Sequence, residues 1–241
     1  MFKNLTAGLL SLSYPHNCVL CKRYIPYHRP SIVLCPSCLD KIEFNTPPFC
    51  RKCSKHLMDP AQTFCLDCRH SEFHFDQSYS SALYNAPMRQ LIHLFKYANK
   101  THLRHPFRHV MSLFLKNYQI DLSSFDCIVP IPLHATRRRE RGYNQAHLLA
   151  QSMSDELGIP LCEQNLVRVR PTQNQALIGR KDRWTNIQGA FKIIRPDEFF
   201  EKSVLIVDDL LTTGVTVSEA ARTLKKAGAQ NIGVFTLAIA V

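Results

Sequence analysis

Four Cys-x-x-Cys pairs, Cys18/Cys21, Cys35/Cys38, Cys50/Cys53 and Cys65/Cys68, dominate the first seventy of the 241 residues. Thirteen residues separate the first two pairs, and eleven separate each later neighbour. Two residues between thiols make a tight knuckle that aims both sulfurs at one ion. A return of roughly ten to twenty residues then brings a second knuckle to complete a tetrahedron. The spacing therefore predicts two structural four-cysteine Zn²⁺ sites. Sequential pairing gives Cys18, Cys21, Cys35 and Cys38 for one, and Cys50, Cys53, Cys65 and Cys68 for the other. Interleaved pairing also satisfies the spacing, and iron–sulfur ligation is the other chemistry open to four thiolates. Disulfides fit poorly, because adjacent Cys-x-x-Cys bridges are redox motifs that belong with a βαβ pattern absent here. A ribbon module of this kind has little hydrophobic core and is expected to depend on its metal. Cys127 and Cys162 lie outside the pairs and read as small buried hydrophobes.

Charge is the second constraint. Thirty Lys and Arg face nineteen Asp and Glu, for a formal +11. Each four-thiolate zinc site carries a net −2, so two sites bring the chain to about +7. The surplus predicts an anionic partner without naming it. Residues 77–120 contain no acid, yet carry Arg89, Lys96, Lys100, Arg104, Arg108 and Lys116. Apolar spacing after Pro87 and Pro106 predicts two amphipathic helices there, whose basic residues face either a polyanion or water. No apolar run approaches the roughly 20 residues of a membrane-spanning helix, so no membrane span is expected. The short apolar stretch at residues 7–12 lacks a small-x-small cleavage site and reads as an amphipathic helix, export being the lesser alternative.

From Phe125 onward, strand-like apolar runs alternate with helical patterns, which predicts an α/β fold with a parallel sheet. The string VLIVDDLLTTGVT at residues 204–216 is its most informative part. A buried strand delivers Asp208 and Asp209 at its carboxyl end, and a Thr-rich turn leads into a helix. Gly214 permits close backbone approach, the helix N-terminus offers unpaired N–H groups, and Thr212, Thr213 and Thr216 add hydroxyls, which together make a phosphate cradle. Two adjacent carboxylates before it suit the vicinal hydroxyls of a sugar, or a divalent cation. Arg137, Arg138, Arg139 and Arg141 form a cluster broken only by Glu140 and suited to phosphate. Residues 171–175 read as a mobile loop beside the site, and Lys96 and Tyr97 as candidates to line an acceptor pocket. Tyr143 and Trp184 are stacking or packing surfaces.

The string at residues 204–216 resembles the motif of type I phosphoribosyltransferases that binds phosphoribosyl diphosphate (PRPP). Together with the cysteine pairs, VPIPLH at residues 129–134 and RRRERGYNQAHLLA at residues 137–150, it makes the chain similar to the ComF family of competence proteins. The resemblance implies a parallel-sheet type I phosphoribosyltransferase fold over residues 75–241 behind a double zinc-ribbon module over residues 1–74. It implies that Asp208 and Asp209 meet the ribose, and that Thr212, Thr213, Gly214 and Thr216 meet the 5′-phosphate. Pro130, Ile131, Pro132, Leu133 and His134 would stand at the diphosphate loop, with Mg²⁺ accompanying PRPP. Val215 departs from the Ala often found in such loops. The implied role is handling of incoming single-stranded DNA in the cytoplasm during natural transformation, alongside proteins of the DNA-uptake machinery. The alternative is an active phosphoribosyltransferase acting on a base or amine.

Overall fold

The computed structural model describes residues 17–25, 33–171 and 182–240. The expected helix near the N-terminus and all but the first residue of the 171–175 loop lie outside these residues. In chain order the elements begin with two single-turn helices, α1 (Pro36–Leu39) and α2 (Leu66–Arg69), then strand β1 (Gln77–Leu83). Helices α3 (Ala86–Tyr97) and α4 (Arg104–Asn117) follow, then β2 (Cys127–Pro130), α5 (Ala135–Arg141) and α6 (Gln145–Leu157). The remainder is β3 (Leu166–Arg168), α7 (Asp182–Ile187), β4 (Phe191–Ile193), β5 (Ser203–Leu211), α8 (Val215–Lys226) and β6 (Asn231–Ile239).

Strands β1, β6, β5 and β2 form one sheet in that order, and every pairing is parallel. Its residues alternate between two cores. Leu205, Val207, Phe235 and Leu237 point to the face covered by α3, α4 and α6, with Phe95, Phe107, Phe114 and Leu149. Val204, Ile206, Ile232 and Val234 point to the face covered by α8, with Val217, Ala220 and Leu224. A strand buried on both faces needs apolar residues at successive positions, which is why these runs read as continuous. β3 and β4 pair antiparallel outside this sheet.

The cysteine-rich segment packs on the free edge of β1. Asn45 donates its N–H to Ser81 O at 3.0 Å, Leu83 donates to Glu43 O at 2.8 Å, and Ser78 donates to Arg51 O at 2.9 Å. These bonds use backbone groups that an edge strand would otherwise expose. The ribbon is also less coreless than its spacing predicts. Cys18, Ile25, Leu34, Cys38 and Ile42 join the same buried cluster as Phe95 and Phe114, so apolar burial adds to metal binding in holding the module.

One strand end and one whole strand differ from the sequence reading. β5 runs on through Asp208 and Asp209 to Leu211, because Asp208, Leu210 and Leu211 stay in register with Thr236, Ala238 and Ile239. The acids therefore lie within the paired part of the strand, and the Thr-Gly turn begins later. β1 has no counterpart in the sequence reading, since its buried Ser78, Ser80 and Ser81 break the apolar pattern.

Candidate functional site

Both four-cysteine sets are assembled in the sequential pairing. Within each set the sulfurs lie within 4.8 Å of one another, and Cys21–Cys35 and Cys53–Cys65 each stand at 3.6 Å. A zinc tetrahedron with Zn–S of about 2.3 Å has sulfur–sulfur edges of about 3.8 Å, so the donor set and its size fit Zn²⁺. Four thiolates fill the coordination sphere, which makes these structural sites.

The second centre is a cleft of about 640 Å³ at the carboxyl ends of β2 and β5. Parallel α/β sheets place ligands there, because the loops that leave the strand ends diverge and expose helix N-termini. The cleft is lined by Asp208, Asp209, Thr212, Gly214 and Thr216 from the β5–α8 segment and by Ile131, Leu133 and His134 from the β2–α5 loop. Lys96, Arg137, Arg141 and Arg168 also line it. Of the remaining expected residues, Thr213 has a buried hydroxyl with no hydrogen-bond partner among the described residues. Pro130 ends β2, and Pro132 is half-buried in the loop that follows. Arg138 and Arg139 are exposed on α5 and are not among the cleft-lining residues. Tyr97 lines the cleft as expected and is exposed at 57%, and Trp184, outside it, is exposed at 40%.

Gly214 holds φ = 76° and leads directly into α8. Only glycine takes this left-handed conformation without a steric cost, and here the space is closed as well. A β-carbon on Gly214 would stand 3.0 Å from Cε1 of Phe73. Phe73 trails the second cysteine set and stacks between Phe75 and Trp184, with centroids 5.0 and 6.2 Å away. Lys52, inside the Cys50/Cys53 knuckle, donates to Phe75 O at 2.6 Å and to Phe73 O at 3.4 Å. His74 N–H donates to Ser218 Oγ in the first turn of α8 at 3.1 Å. The second cysteine site is thus mechanically tied to the turn that begins α8. None of this was legible in the sequence, where Phe73 is an aromatic in a linker.

The acid pair has an asymmetric environment. Asp209 is 2% exposed, and its Oδ2 lies 2.5 Å from Lys96 Nζ while its Oδ1 accepts from Gln145 Nε2 at 3.3 Å. Asp208 Oδ1 accepts the Asp209 N–H at 2.9 Å. Burial and the neighbouring Asp209 charge push Asp208 up to about 8, so its carboxyl is largely neutral near pH 7. Burial opposes ionisation of Asp209 too, but Lys96 outweighs it and holds Asp209 below the usual carboxylate range. Burial likewise works against the Lys96 charge, and attraction to Asp209 nonetheless raises it. The floor of the cleft near neutrality therefore carries one ammonium, one carboxylate and one neutral acid, and the arginines on the walls leave it positive.

The run RGYNQA explains itself once folded. Arg141 Nη1 donates to Gln145 Oε1, which turns the Gln145 amide N–H₂ towards Asp209. The Arg141 guanidinium also lies 5.2 Å from the centre of the Tyr97 ring. Tyr143 donates its hydroxyl to Phe95 O, one residue before Lys96, and so acts as packing and anchor. Asn144 caps α6 by accepting the Ala146 N–H at 3.1 Å and donates to Ile131 O at 3.0 Å, which fastens the β2–α5 loop. Lys96 and Gln145 are the functional groups whose partner the sequence did not reveal. Lys96 stood out only as an acceptor-pocket candidate, and Gln145 only as part of the run.

Two family models match the chain. A double zinc ribbon domain matches residues 9–69 and a phosphoribosyl transferase domain matches residues 144–240. Competence protein F of Haemophilus influenzae is 32% identical over 226 residues, covering 92% of this chain and 96% of that protein. DNA utilization protein YhgH of Salmonella typhimurium is 28% identical, covering 95% and 92% respectively. Competence protein ComFC of Bacillus subtilis is 28% identical, covering 87% and 85%. No helix among the described residues is long and apolar enough to cross a membrane. With a double zinc ribbon domain and a phosphoribosyl transferase domain both matched, and a competence protein 32% identical over 92% of its length, the chain belongs to the ComF family of competence proteins.

Proposed function

We propose that this protein handles incoming single-stranded DNA in the cytoplasm during natural transformation and binds a phosphoribosyl ligand of the PRPP class in its cleft. The carrying observation is the convergence of Asp208, the Thr212–Thr216 turn and Arg137 and Arg141 of α5 on one opening at the ends of β2 and β5. In this reading the ribose hydroxyls meet Asp208, the 5′-phosphate meets the N–H groups and hydroxyls before α8, and a diphosphate with its Mg²⁺ lies along the 130–134 loop. DNA lies across the exposed arginines of α5, close to the proteins that deliver it. The names of the competence and DNA-utilization relatives support this assignment.

The test is single-strand binding measured against salt concentration, for the zinc-loaded protein and for the variant with Arg137→Ala, Arg138→Ala and Arg139→Ala. For every arginine that pairs with a DNA phosphate, its removal should flatten the slope by about 0.7 log unit of affinity per log unit of salt. A slope that does not change removes these arginines from the DNA path.

A further inference from the structure

An acid pair at a strand end can serve a ligand in two ways, by accepting hydroxyls or by holding a divalent cation. At Asp209 the cation's place is taken. Lys96 Nζ stands 2.5 Å from Asp209 Oδ2, with side-chain exposures of 20% and 3%. Magnesium binds carboxylate oxygen at about 2.0–2.1 Å in a near-octahedral shell, so it cannot share that oxygen's open side with an ammonium. The other oxygen, Oδ1, takes the Gln145 amide, whose orientation is set by Arg141 on the opposite end of the same group. Asp209 Oδ1 therefore accepts the Gln145 amide, while the buried Oδ2, which accepts no hydrogen bond among the described residues, is compensated by the Lys96 charge in close ion pair. Among the described residues, groups of three or more metal-type ligands within reach of one ion occur only at the two cysteine sets, and none includes Asp208 or Asp209.

We infer that Lys96 is a built-in counter-cation, a positioning residue that lets the cleft hold a sugar phosphate monoester with no divalent metal. The inference rests on the phosphoribosyl reading of the cleft and deepens it by naming the ligand class. Lys96 acts through Asp209: it cancels the buried carboxylate, so that an incoming phosphate dianion meets Arg137, Arg141 and Arg168 without repulsion from the floor. Asp208 then remains as the acid that faces the sugar. Any magnesium needed for a diphosphate is carried by the ligand and not by the acid pair.

The experiment is calorimetric titration with ribose 5-phosphate as the probe, in buffer dialysed free of magnesium and in buffer containing it, with zinc content checked throughout. The wild-type affinity should agree between the two buffers within about twofold. Lys96→Met exposes the Asp209 charge, so its affinity without magnesium should drop about tenfold or more, and magnesium should restore part of it. Lys96→Arg keeps the charge and should stay magnesium-independent, a pattern that a purely structural role for Lys96 would not produce. Should Lys96→Met fail to fold, wild type and Lys96→Arg in the two buffers still decide the matter. A wild type that binds ribose 5-phosphate only with magnesium overturns the inference and leaves the phosphoribosyl reading standing, and so does a folded Lys96→Met that binds like wild type. Absence of binding in both buffers overturns the phosphoribosyl reading itself and the inference with it.

Discussion

Gly214→Ala probes the link between the second cysteine site and the turn before α8. The substitution has two costs, which a second mutation separates. At φ = 76° an L residue carries a left-handed penalty of about 1–2 kcal/mol. The new methyl also lies 3.0 Å from Cε1 and 3.2 Å from Cζ of Phe73, and that ring is held between Phe75 and Trp184. Moving it by a few tenths of an ångström adds about 1 kcal/mol, at the lower end of overpacking costs. The sum, about 2–3 kcal/mol, corresponds to a fall in melting temperature of about 4–12 °C for a chain of this size. In a Phe73→Ala background only the left-handed penalty survives, so the double-mutant cycle should show coupling of about 0.5–1 kcal/mol. The assay is thermal unfolding of the four zinc-loaded proteins, followed by titration with ribose 5-phosphate. An equal cost of Gly214→Ala in both backgrounds would refute Phe73 as the constraint. A melting temperature that Gly214→Ala leaves untouched would refute the left-handed requirement as well.

Further tests address the rest of the site. Burial and the Asp209 charge push the Asp208 carboxyl up to about 8, so it is neutral below that pH and adds a negative charge above it. Ribose 5-phosphate affinity should therefore be level from pH 7 to about 7.5 and fall as pH rises through 8, with Asp208→Asn removing the fall; titration at stepped pH checks this. Metal analysis should return two zinc ions per chain, and Cys50→Ser should lower that to one while weakening sugar-phosphate binding through Lys52 and Phe73. Asn144→Ala removes the cap of α6 and the bond to Ile131 O, and should cost about 1 kcal/mol by thermal melt together with a weaker sugar-phosphate affinity.

What could be read from the chain followed from how local each signal is. The cysteine pairs and residues 204–216 carry their geometry within a few residues, so their knuckles and turn are written in the spacing. The sheet was legible where strands are apolar on both faces, as at Val204 to Val207. It was not legible at β1, whose buried serines are satisfied by distant partners. Ser78 Oγ donates to Lys52 O at 2.7 Å, Ser80 N–H donates to Ser54 Oγ at 2.9 Å, and Ser80 Oγ and Thr236 Oγ1 stand at 2.7 Å. A polar strand can be buried only because the ribbon and β6 supply those groups, and no local pattern announces that. The Lys96–Asp209 pair is likewise a product of packing α3 over the end of β5. From the sequence, Lys96 is one of several bases in an acid-free stretch, a candidate with Tyr97 to line an acceptor pocket, and nothing there pairs it with Asp209.

The central claim is that the segment from Asp208 to Thr216 binds a phosphoribosyl group. Its most direct test is calorimetric titration of the zinc-loaded protein with magnesium-bound PRPP, comparing wild type with Asp208→Ala and Thr216→Val. The account predicts saturable one-to-one binding by wild type and a loss of about tenfold or more in each variant. Binding that both variants retain at full strength, or a wild type that takes up no PRPP, would contradict it.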